Sequence, residues 1–133
     1  MPYWRLFYHA VWGTKNRLSL IESAWEDDLY GYIWGKATAL ESIPHAINGM
    51  PDHIHVAVSI PPKLSVATLI GQLKGASSHR VNEQFTDGAF AWQSEYGVVS
   101  FSEHTLARVV DYVKNQKKHP AENKLDIAME NFG

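Results

Sequence analysis

Hydrophobic and polar positions alternate most cleanly over residues 53–60. Ile54, Val56, Val58 and Ile60 fall on one face of an extended chain, and His53, His55, Ala57 and Ser59 on the other. Asn48-Gly49 and Pro51-Asp52 are turn signals before this strand, and Pro61-Pro62 ends it. Tyr3 to Trp12, aromatic and branched, predicts a first strand. Leu6, Tyr8, Ala10 and Trp12 share one of its faces, and Arg5, Phe7, His9 and Val11 the other; neither is cleanly polar, as suits a central strand. A short strand over His45 to Asn48 turns into the histidine strand. Phe90 to Gln93 and Val98 to Phe101 predict short extended pieces around Glu95-Tyr96-Gly97.

Helical spacing fills the gaps between strands. Ser23 suits an N-cap and Glu26, Asp27 and Asp28 a first turn, predicting a helix from about Ala24 to Leu40. Leu29, Tyr32, Ile33, Lys36 and Leu40 lie near one stripe of it, and Gly31 and Gly35 weaken it. Ser65 caps a second helix with Val66, Leu69, Ile70 and Leu73 at helical spacing. It continues into the small, polar, cationic Lys74-Gly75-Ala76-Ser77-Ser78-His79-Arg80. A last helix begins at Ser102 or Thr105 and runs to about Lys118, before Pro120. Leu106, Val109, Val110 and Val113 form its apolar stripe. At roughly 100° per residue, Arg108, Tyr112, Gln116 and His119 gather on a flank away from that stripe. The order is the βαββαβ pattern of an α+β, ferredoxin-like antiparallel sheet, plus one C-terminal helix that carries Tyr112. The first two helices should cover one sheet face, and the histidines should lie on the other.

Composition narrows the class. The chain has 133 residues and no cysteine. One domain over 1–133 is expected, with about 121–133 as a tail, and disulfides and thiolate metal sites are excluded. No signal pattern and no apolar run of membrane-spanning length is present, so a cytoplasmic protein without membrane contact is expected. The formal net charge is −2, with acidic residues gathered in 22–28 and 122–130. A polyanion site would therefore be local. Lys15 and Arg17 in the loop Gly13-Thr14-Lys15-Asn16-Arg17 could meet a phosphate or be solvated.

His53 and His55 are one strand repeat apart, with roots roughly 7 Å from each other. They could bind one metal ion, or be solvated or hydrogen-bonded on a polar face. His-x-His does not decide between these by itself.

The second feature is Tyr112-Val113-Lys114-Asn115-Gln116. With Tyr8-His9-Ala10-Val11-Trp12-Gly13-Thr14-Lys15, Gly49 to His55, Pro61 to Val66, Leu73 to Ser78 and Trp92 to Gly97, it makes the chain resemble a known family. It is similar to the single-tyrosine HUH transposases of the insertion-sequence-200 type and to the REP-associated tyrosine transposases. The resemblance implies a transposase that cuts and rejoins single-stranded DNA at hairpin-marked element ends through a 5′-phosphotyrosine. It implies Tyr112 as nucleophile, and His53, His55 and Gln116 as ligands of a divalent ion, Mg2+ or Mn2+. It also implies a homodimer in which the tyrosine helix can act in trans. With DNA as the implied substrate, Lys15, Arg17, Lys63, Lys74, Ser77, Ser78 and Arg80 are candidate DNA contacts. A tyrosine hydroxyl, with an ordinary pKa of about 10, needs such help at neutral pH. Relatives often carry a second histidine where this chain has Pro120. A catalytically idle or domesticated hairpin-binding protein on the same fold is the alternative; an unrelated metal-binding ferredoxin-like protein is a third.

Overall fold

The computed structural model describes residues 4–118. Strand β1 (Phe7–Gly13) is followed by helix α1 (Glu26–Ala39), strands β2 (Ile43–Met50) and β3 (His53–Ser59), helix α2 (Val66–Val81), strand β4 (Gly97–Phe101) and helix α3 (Leu106–Lys114). The strands form one antiparallel sheet in the order β2-β3-β1-β4. This is the expected βαββαβ arrangement with its added helix.

The two faces of the sheet carry different chemistry. One presents Ala10, Trp12, Ile54, Val56 and Val58 to Leu29, Ile33 and Ala37 of α1 and Leu69, Ile70 and Leu73 of α2. Each fully buried aliphatic contributes roughly 1.5–3 kcal/mol, so this layer holds the molecule together. The other face is smaller. Ala46 and Ala57 are register partners across β2 and β3, and Val113 of α3 sits on them. Side chains reduced to methyl groups let the helix approach the sheet closely.

Element boundaries move from the expected ones for local reasons. Trp25, not Ser23, precedes α1, because its indole is drawn into the core and stacks on Phe85. β1 begins at Phe7, which leaves Trp4 to Leu6 of the expected strand outside it, and Tyr3 lies outside the described residues. β2 extends beyond His45–Asn48 in both directions, and a register shift between Pro44 and Ala46 absorbs the proline. Ser65 caps α2 as expected, accepting from the Thr68 amide at 3.0 Å. Of the extended piece Phe90 to Gln93, Trp92 alone forms a bridge, to Thr14. The expected tail and His119 lie outside the described residues. Among the described residues no helix is long and apolar enough to cross a membrane.

Candidate active site

The start of β3 fixes the histidines. His53 stands opposite Gly13 of β1 and Met50 of β2; His55 stands opposite Val11 and Asn48. Directly opposed residues share a face, so both imidazoles lie on the α3 side of the sheet. Both are buried, and their ring centroids are 5.2 Å apart.

Each ring is held from behind through Nδ1. His53 Nδ1 is 2.7 Å from Asp52 Oδ1. A carboxylate only accepts, so this imidazole donates. His55 Nδ1 is 2.9 Å from Nε2 of His9, which lies buried on β1. The Nε2 atoms of His53 and His55 are themselves buried. Asp52 is oriented in turn by Arg17, whose Nη2 is 3.1 Å from Oδ2. Burial pushes the Asp52 carboxyl up, but the hydrogen bond and charge of His53, with the charge of Arg17, outweigh this and hold it below its usual range. Arg17 reaches Asp52 through a turn in which Asn16 and Arg17 both take positive φ, 57° and 55°. Gly13 makes room, since a Cβ there would lie 2.7 Å from Arg17 Cδ.

Tyr112 enters this pocket from α3. Its ring meets His55 edge-on at 5.8 Å between centroids, and His9 at 5.9 Å. Gln116 lies one turn on, buried, with its amide nitrogen 3.2 Å from the Tyr112 carbonyl. The helix end is tied down on both sides of Gln116. Asn48 donates to the Lys114 carbonyl at 2.9 Å. Lys117 Nζ donates to Asn48 Oδ1 at 2.7 Å and to the Gly49 carbonyl at 2.8 Å, and is 3.1 Å from Glu26 Oε2. It also lies over the Tyr30 ring. Burial, then the Glu26 carboxylate, push the Tyr30 hydroxyl well above its ordinary range.

The chain thus brings His53, His55, Tyr112 and Gln116 to one end of one sheet face. It sorts the expected DNA contacts differently. Lys15, exposed, and Arg17 lie at the histidine end. Lys63 follows β3 at its far end and pairs with Glu41. Lys74 donates to the carbonyls of Gln93 and Glu95, and burial lowers its pKa. Ser77 is fully buried and accepts from the Trp92 indole. Ser78 bonds the Gly75 carbonyl. Arg80 makes a two-pronged pair with Asp28, joining α2 to α1. Lys74, Ser77 and Arg80 therefore serve internal structure here.

Three residues at the site carry no expected role: His9, Asp52 and Lys117. Alternation along β1 places His9 on the same strand face as Phe7 and Val11, but only the sheet order puts it beside His55. Asp52 adjoins His53 in sequence and reads there as a turn residue.

The donor set suits a divalent cation. Two imidazoles have their Nδ1 atoms engaged and their Nε2 atoms buried on one face, the arrangement by which outer partners orient metal-binding histidines. Among the described residues no three His, Cys, Asp or Glu side chains form a ligand set, so within them a third ligand would be of another donor type, such as the Gln116 amide oxygen.

Comparison with known proteins points one way. The family model described as "Transposase IS200 like" matches residues 2–116. The transposase of insertion sequence IS200 from Salmonella typhimurium is 42% identical over 124 residues, covering 85% of this chain and 78% of that protein. The ISDra2 transposase TnpA of Deinococcus radiodurans is 28% identical over 121 residues, 85% of each chain. Among solved structures, a candidate transposase from Deinococcus radiodurans superposes with a TM-score of 0.70 at 29% identity, covering 87% of this chain and 95% of that one. A REP-associated tyrosine transposase bound to a REP hairpin gives 0.65 at 17% identity, covering 90% and 74%, a likeness of fold.

Proposed function

The chain belongs to the IS200-like transposase family, whose members move DNA by cutting and rejoining it, and we propose that it does so on single strands through Tyr112. The observation that carries this reading is the meeting of the Tyr112 ring with His55 beside His53. The ring packs on the small Ala46, Ala57 and Val113 cluster and also borders two buried imidazoles, His55 and His9.

His53 and His55, with Gln116, would hold a divalent ion, Mg2+ or Mn2+. When bound, the ion supplies a Lewis acid that polarises the scissile phosphate and offsets charge on its oxygens. The chain's own groups do the rest. Asp52 and His9 aim the imidazoles. Tyr112 presents its oxygen to the phosphorus, a P–O bond forms to it, and the bond to the 3′ oxygen breaks. That oxygen leaves as a 3′-hydroxyl once protonated, and the tyrosine proton passes to solvent or base. The phosphotyrosine keeps the diester bond energy, so a 3′-hydroxyl can attack it, release Tyr112 and reseal DNA without ATP. Arg17 adds positive charge beside His53. The substrate we infer is single-stranded DNA carrying hairpins at the element ends, bound by a homodimer.

Denaturing gels of the protein with single-stranded oligonucleotides from its flanking DNA test the reading. A Mn2+-dependent covalent adduct is expected for wild type and none for Tyr112→Phe. No adduct on any flanking strand, from folded protein that binds Mn2+, would remove the nuclease and leave a hairpin-binding protein.

A further inference from the structure

His9 is not needed as a ligand or nucleophile, yet it touches both. His9 is 1% exposed, with Nε2 2.9 Å from His55 Nδ1 and its ring centroid 5.9 Å from that of Tyr112. An imidazole that gives its Nε2 lone pair to a cation must carry its proton on Nδ1. Asp52 imposes that tautomer on His53, because a carboxylate can only accept. His55 Nδ1 faces a second imidazole instead, and a bond between two imidazoles forms with the proton on either side.

We infer that His9 is the positioning residue of His55. Its Nε2 accepts the proton that His55 carries on Nδ1, which keeps His55 Nε2 as the ligating atom. His9 then holds its own proton on Nδ1. The same ring backs the edge of Tyr112, so one side chain fixes the directions of ligand and nucleophile together. An imidazole suits this place better than a second carboxylate. It orients His55 without adding a negative charge that would repel the DNA phosphate or offset the ion. The inference rests on the function proposed above.

Long-range proton–nitrogen NMR of the metal-free protein, with nitrogen-15 in its histidines, reads the tautomer of His55 directly. Wild type is expected to show the proton on Nδ1. His9→Gln, whose amide oxygen can stand near the former Nε2, should keep it there. His9→Phe, which fills the ring space without an acceptor, should move His55 towards the other tautomer. Calorimetry with Mn2+ alone should show affinity about 10–100-fold weaker in His9→Phe, the usual effect of losing such a partner, and largely retained in His9→Gln. A wild-type His55 protonated on Nε2, or a tautomer unchanged in folded His9→Phe, would overturn the inference. Failure of wild type to bind Mn2+ would instead strike the metal reading, and the tautomer comparison would still decide the role of His9.

Discussion

Gly49 shows how single residues set the position of the histidines. It faces Ile54 across β2 and β3, and a Cβ there would lie 2.2 Å from the His53 carbonyl oxygen and 2.7 Å from Ile54 Cα. Both are backbone atoms, so no side chain can step aside. Gly49→Ala should therefore lower the urea midpoint by an amount equal to about 1–3 kcal/mol, and should cost adduct formation too, since the displaced strand carries His53. Gly31 of α1 is the matched control, because a Cβ there meets nothing within 4 Å. Gly31→Ala should stabilise by about 0.5–1 kcal/mol through helix propensity. Equal midpoints for the two variants would show that the close approach at Gly49 does not constrain the strand.

At the scale of the element, α3 is positioned by a seat and a clamp. The seat is Val113 on Ala46 and Ala57; the clamp is Lys117 with Asn48, Gly49 and Glu26. Lys117 is half-exposed, so its pairings should add at most about 1 kcal/mol to stability. Their effect on geometry is larger, since they fasten the turn that holds Gln116. Lys117→Met is expected to leave the thermal midpoint nearly unchanged and to slow adduct formation by about 10–100-fold, the scale at which small misplacements act. A rate equal to wild type would leave the seat alone as the positioning device. The existence of this helix and its stripe through Val109, Val110 and Val113 were legible in the sequence. The burial of Gln116 was not: the flank grouping sets it aside with Tyr112, although at 100° per residue it falls only about 20° from Val109, at the edge of the stripe. The α-helix then ends at Lys114, and Asn115 takes φ −98°, ψ 15°, so beyond that point the wheel no longer places a side chain. Tyr112, also set aside by the wheel, is half-buried because the histidine pocket continues the contact surface past the aliphatic stripe.

Across the whole molecule, the order of elements was readable because each strand and helix carries its own period. What no local pattern contains is which strands become neighbours. His9 meets His55 because β1 lies beside β3, and Asp52 becomes His53's partner because Arg17 returns to it from the loop after β1. The same argument sorts the charges. The net charge of −2 gives no general attraction for DNA, and Lys74, Arg80 and Lys117 are engaged with internal partners. Exposed lysines 15, after β1, 114, the last residue of α3, and 118, beyond it, lie at the histidine end. If these carry the phosphate contacts, three neutralised phosphates on a single strand give a slope of about −2 for log affinity against log salt. Fluorescence anisotropy with a labelled single strand over a KCl series measures it. Replacing the three lysines by glutamine should bring the slope close to zero while leaving Mn2+ binding intact. A steep slope that survives the replacement would move the DNA path to another face, and the far-end Lys63 would be the next cation to remove.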